Sequence, residues 1–143
     1  MIGLRGMPVV NPGDDLSKMI VEAARSSGVG IENGDILVVA QKIVSKAENR
    51  LVRLADVAPS QRAVQVAETY CKDPRQVEVV LRESKKAIRI RDGHLIMETK
   101  HGFVCANAGV DLSNVSGGMV ASLLPEDPDQ SAARIRERIR ELT

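Results

Sequence analysis

Aromatic side chains are scarce in this 143-residue chain, which has no Trp and only Tyr70 and Phe103 as rings of that kind. Proteins that hold single-stranded nucleic acid stack bases on such rings, so that class is nearly excluded. A preponderance of one charge is also missing. The 20 Lys and Arg against 19 Asp and Glu leave a formal +1, which exerts no general pull on nucleic acid or acidic membrane. The two cysteines, Cys71 and Cys105, show no CxxC or Cys/His spacing of a zinc site, and both read as reduced core thiols of a cytoplasmic protein. No apolar run reaches membrane-spanning length, and the stretch over 1–10, with Arg5 inside it, lacks the long apolar region of a signal peptide. HExxH, GxSxG, P-loop and GxGxxG motifs are absent, which removes the commonest catalytic signatures.

What is present is globular. Apolar residues make up 43% and charged residues 27%. The length suits a single domain over 1–143, with a core of Val, Leu, Ile, Ala and Met. The segment 2–10 reads as extended and ends in the turn Asn11-Pro12-Gly13. Asp14 or Asp15 then caps a helix with Leu16, Met19, Ile20, Ala23 and Ala24 on one face, closed by Gly28 in a left-handed conformation. ILVVA at 36–40 predicts a strand buried on both faces, and LVRLADV at 51–57 a second extended segment.

Pro59-Ser60 opens a helix that runs through Cys71, and Asp73-Pro74 opens another with Val77, Val80 and Leu81 inward. AIRIR, Asp92-Gly93, HLIMET and FVCANAGV predict a β-meander. A loop over 111–118, the strand MVASLL and a last helix complete the chain. Asp127, Pro128 and Gln130 resemble the capping box of that helix, and Ala132, Ile135, Ile139 and Leu142 form its narrow apolar stripe. The fold class is α+β, with a mixed, largely antiparallel sheet and packed helices.

Two places could carry chemistry. Lys46, with Gln41, Lys42 and Ser45, sits where the expected buried strand emerges, so its ammonium either meets phosphate oxygens or is an ordinary surface lysine. Asp111, Ser113 and Asn114 offer a carboxylate, a hydroxyl and an amide within four positions; they suit a hard divalent cation or simply form an Asx turn or cap. Asn49 reads as a structural left-handed residue, and His94 and His101, beside turns, receive no role.

GMPVVNPGDDL, NGDILVVAQKIVSKAENR, HGFVCANAGVDLSNV and LLPEDPDQSA, in this order and spacing, resemble the coenzyme F420-0:L-glutamate ligase family, the γ-glutamyl ligases of deazaflavin coenzyme biosynthesis. The resemblance spans essentially the whole chain and corresponds to the N-terminal part of that family. It implies a cytoplasmic, homodimeric ligase that uses GTP and a divalent metal, Mg or Mn. Its small-molecule substrates would be coenzyme F420-0, L-glutamate and GTP, with glutamate added first as an amide and then through a γ-linkage by way of an acyl phosphate. Neither nucleic acid nor membrane is an expected partner.

Carried over by position, Met7, Pro8, Val9 and Val10 line the nucleotide, and Gln41 and Lys42 lie beside it. Lys46 and Asn114 contact the nucleotide, and Asp111 ligates the metal, so Lys46 and Asp111 are the expected catalytic pair. Many members carry Ser or Thr where this chain has Gln41-Lys42. The family pattern also continues into a second half with a further acidic motif that the sequence to Thr143 does not contain. The chain alone is therefore expected to be inactive. The alternative is a non-catalytic nucleotide- or partner-binding module derived from the ligase.

Overall fold

A computed structural model of the protein describes residues 1–115 and 118–143. The helices are α1 (Leu16–Ser26), α2 (Gln41–Ala47), α3 (Gln61–Tyr70), α4 (Pro74–Arg82) and α5 (Pro128–Leu142). The strands are β1 (Leu51–Arg53), β2 (Ser84–Arg91), β3 (His94–Thr99), β4 (Val104–Ala106), β5 (Asp111–Val115) and β6 (Gly118–Ser122). Contacts divide the chain into two compact units: Met1–Arg50 with Pro125–Thr143, and Leu51–Leu124. The α+β class holds, and every strand pairing in the two three-stranded sheets is antiparallel.

The first unit is held by α1 against α5. Asp15 caps α1 by accepting from Lys18 N at 3.0 Å, and its carboxyl is held below the usual range by that bond. Gly28, at φ 68°, ends the helix: Gly28 N donates to Arg25 O and Val29 N to Ala24 O, the paired bonds of a Schellman cap. Leu16, Ile20 and Val21 bury against Ile139, with Ile135 and Leu142 beside them. At the N-terminus of α5, Asp127 accepts from Gln130 N at 2.8 Å with Pro128 following it, as the capping pattern predicts. Ile135, Ile139 and Leu142 face the core as expected, and only the first position of the stripe differs. Ala132 is exposed and Ser131 is buried in its place, because the Ser131 hydroxyl donates to the Glu48 carboxylate.

The second unit packs α3 and α4 on the sheet β2-β3-β4, with the sheet β1-β6-β5 alongside in the same core. Leu95, Met97 and Thr99 alternate inward on β3, and the Asp92-Gly93 turn has positive φ at both residues, the geometry a two-residue hairpin demands. Leu54, Val57, Ala63, Val77 and Val80 are among the residues that fill the core, and the Tyr70 hydroxyl donates to Ile90 O. Glu78 is buried in α4. Its carboxylate accepts from Ser60 N at 2.9 Å and from Arg82 Nε at 2.8 Å, and these bonds hold its pKa down at about 2.

Four expectations need correction. Residues 36–40 form no strand among the described residues, and Ile36 and Val38 are 91% and 84% exposed, because a β-rich run becomes a strand only where a neighbour completes its ladder. The extended reading of 51–57 shortens to β1 followed by a 3-10 turn at Leu54–Asp56, which turns the apolar Leu54 and Val57 into the core. The loop expected over 111–118 is instead largely strand, β5 leading to the start of β6, with Ser116 and Gly117 outside the described residues. Both cysteines are free, but Cys71 is exposed and Cys105 only half-buried, since Cys71 ends α3 at φ 52° and Cys105 lies in the short β4.

Candidate functional site

Sequence-predicted site residues occur in both units. In the first, the polar group Gln41, Lys42, Ser45 and Lys46 is helical: α2 takes up the positions just after the expected strand. Helical spacing sets the partners. Gln41 and Ser45 are four apart, and the Gln41 amide donates to the buried Ser45 hydroxyl. Lys42 and Lys46 are likewise four apart, so they share a face and place two ammonium groups on one side of α2.

The end of α2 is fixed by Asn49 at φ 55°, as its residue type suggests: Asn49 N donates to Lys46 O at 3.0 Å and Arg50 N to Ser45 O at 2.8 Å. Lys46 therefore lies in a last turn whose carbonyls are bonded, which limits the backbone freedom behind its side chain. Lys46 is half-buried, and among the described residues no ion pair or hydrogen bond engages its ammonium. An ammonium on a long stem with no carboxylate beside it can meet phosphate oxygens without first breaking an ion pair.

The stretch 7–10 belongs to the same local structure. Gly13 N donates to Ala47 O at 2.8 Å, tying the Asn11-Pro12-Gly13 turn to the last turn of α2. Val10 is buried in the cluster that contains Val44 of α2, and Met7 packs on that cluster. Pro8 and Val9 are exposed, so this stretch offers one buried side and one open side beside α2. The structure thus ties the segment that follows Met7–Val10 to the last turn of α2, the turn that carries Lys46.

In the second unit, Asp111 is the exposed first residue of β5, directly opposite Ser122 of β6. It begins a strand rather than a helix. What precedes it is unusual: Asn107, Ala108 and Gly109 all have positive φ, at 52°, 52° and 73°. Two of the three bear a Cβ, and left-handed backbone costs such residues about 1–2 kcal/mol each. The turn is closed by Val110 N donating to Asn107 O at 2.9 Å, and Ala108 and Val110 are buried in the core. A Cβ on Gly109 would come within 2.8 Å of the Leu124 side chain.

The turn, anchored by these contacts, sets where β5 and its leading carboxylate begin. Asn114 pairs with Met119 along the ladder, but its side chain lies outside the described residues.

Sequence reasoning missed Ser122 and the left-handed turn. The Ser122 hydroxyl is buried opposite Asp111 and has no hydrogen-bond partner among the described residues; a lone hydroxyl in MVASLL was its one signal. Asn107 and Gly109 are types that tolerate left-handed backbone, whereas Ala108 gives no hint of it. Among the described residues no group of three or more His, Cys, Asp or Glu gathers at metal-binding range. A divalent cation takes about six oxygens, and the described residues do not gather a shell of that size around Asp111.

A sequence model of the family described as F420-0:Gamma-glutamyl ligase matches residues 5–143. Curated relatives agree with it. The chain is 46% identical over 143 residues to a coenzyme F420:L-glutamate ligase of Methanothermobacter thermautotrophicus, covering 100% of the chain and 56% of that relative. It is 49% identical over 133 residues to a protein of the same name from Methanopyrus kandleri, covering 93% of the chain and 50% of the relative. A third, from Methanocaldococcus jannaschii, is 40% identical over 145 aligned positions, covering 100% of the chain and 55% of the relative. The chain spans about half the length of the curated relatives it matches.

Proposed function

Since the chain belongs to the F420-0:gamma-glutamyl ligase family, we propose that it supplies the nucleotide-binding part of a GTP-dependent ligase joining L-glutamate to coenzyme F420-0. The observation that supports this reading is the half-buried Lys46 in the last turn of α2, whose ammonium has no ion pair or hydrogen bond among the described residues, on a helix end tied by Gly13 N to the turn that follows Met7–Val10. Lys46 binds the nucleotide's terminal phosphates, while the open side of Met7–Val10 lines the nucleotide and Gln41 and Lys42 contribute polar contacts beside it.

The chemistry is carboxylate activation. The terminal phosphoryl group of GTP passes to the acceptor carboxylate, giving GDP and an acyl phosphate. The glutamate amine attacks the acyl carbon, the carbon–oxygen bond to phosphate breaks, and the amide forms with loss of the amine proton. A second glutamate joins through the γ-carboxylate of the first. As charge moves from the nucleotide onto the transferred group, the Lys46 ammonium offsets it, an electrostatic contribution that grows toward the transition state.

Asp111 provides one carboxylate for a Mg or Mn ion, the other ligands coming from the nucleotide, water and groups outside the described residues. Asn114 contacts the nucleotide. The working enzyme is a homodimer in the cytoplasm; the described residues include no helix long and apolar enough to cross a membrane.

On this reading the chain by itself is expected not to turn over, because each relative extends well beyond the matched region and the described residues gather no metal shell. The test is mass spectrometry of coenzyme F420-0 incubated with GTP, glutamate and Mg or Mn. The chain alone should leave it unchanged, and adding the uncovered portion of the Methanothermobacter relative should give adducts one and two glutamates heavier. Glutamate addition by the chain alone would overturn the incompleteness; none in either mixture, despite GTP binding, would favour a non-catalytic nucleotide-binding module.

A further inference from the structure

Residues 36–39 have the make-up of a buried strand and the surroundings of none. They are Ile-Leu-Val-Val, preceded by the Glu32–Asp35 turn and followed at once by α2. Their exposures alternate with a period of two: Ile36 is 91% and Val38 84% exposed, while Leu37 is 40% exposed and Val39 packs on the core of the first unit. That alternation is the pattern of a β-strand with one face docked and the other open. Among the described residues, however, no hydrogen bond engages the backbone of 36–39, so both edges of the extended segment lack a ladder. Four consecutive apolar residues with an open face and two open edges form a template for strand addition.

We propose that residues 36–39 are a central strand whose two neighbours come from the part of the polypeptide that the curated relatives possess beyond the matched region. Two observations favour that occupant over a second copy of this chain. The match covers 56%, 50% and 55% of three relatives, which leaves a comparable length of chain to supply strands. Self-pairing of this segment about a two-fold axis would satisfy one edge only, leaving the other edge open. The proposal concerns assembly alone, and holds whether or not the assembled protein is a ligase.

Hydrogen exchange read by mass spectrometry, with sedimentation of the same samples, tests it. In the chain alone, amides 36–39 should exchange within about tenfold of the unstructured rate, and Val38→Lys should leave its Tm unchanged, since that side chain stands in solvent. Adding the uncovered portion of the Methanothermobacter relative, or fusing it to this chain in the order the relative has should the separate piece prove insoluble, should slow amides 36–39 by about a hundredfold or more. Val38→Lys should abolish that protection.

Three results would overturn the proposal: protection elsewhere with 36–39 still fast, no protection in either the mixture or the fusion, or protection of 36–39 in a dimer of the chain alone. The last would make a second copy the occupant.

Discussion

Glu78 shows how much a single buried carboxylate can contribute when it is fully bonded. Ser60 and Arg82 donate to it, and its pKa stands at about 2 in place of the ordinary 4.5. A depressed folded-state pKa stabilises the protein above the unfolded value, and that stability is lost as pH falls from about 4.5 toward 2. Glu78→Gln should cost about 2 kcal/mol at pH 7, the worth of hydrogen bonds to a charged group, and the gap to the parent should close below pH 4; urea denaturation across that range checks both.

Gly109 is a second single-residue case. Its φ of 73° and the 2.8 Å approach of Leu124 both oppose a side chain there. Gly109→Ala should destabilise by about 2–3 kcal/mol. Removing the Leu124 side chain in a double variant should recover the steric part and leave the backbone part, about 1 kcal/mol, in place.

At the scale of elements, α5 and α1 hold the first unit together through a narrow seam. Ile139 is buried there at 6% exposure against Leu16 and Ile20, so Ile139→Ala should cost about 2–4 kcal/mol by thermal melting. Much of this architecture was legible in the residues. Caps are local chemistry, and Asp15, Ser60, Asp73 and Asp127 all accept from the amide two or three positions on, where the sequence placed them. Asp92-Gly93 fixed the hairpin for the same reason.

What sequence did not give depends on partners distant in the chain. Residues 36–39 carry every local preference for a strand and still form none among the described residues, because a ladder needs a neighbour. Residues 111–115 look like a loop, yet pair with β6 because the register matches Leu112 to the buried Ala121. The helical state of Gln41–Ala47 likewise follows from Val44 reaching the core that Val10 and Ile20 share.

For the molecule as a whole, family membership and geometry bear on different questions. The match over residues 5–143 places the chain in the F420-0:gamma-glutamyl ligase family, and the described residues hold two candidate groups. They are a half-buried lysine with no ion-pair partner among the described residues in the first unit and, in the second, a carboxylate at the head of a strand set by a strained turn. Asp111→Asn should weaken Mn binding in the presence of GTP while the chain still unfolds cooperatively. Unchanged metal affinity by calorimetry would remove Asp111 from the ligand set.

The most direct test of the account is calorimetric titration of GTP, with Mg, into the parent chain and Lys46→Ala. We expect saturable binding to the parent, weakened at least about tenfold in the variant, or 1.4 kcal/mol, with the Tm of the two alike. Equal affinities, or no saturable binding to the parent, would contradict the assignment of Lys46 to the nucleotide's phosphates.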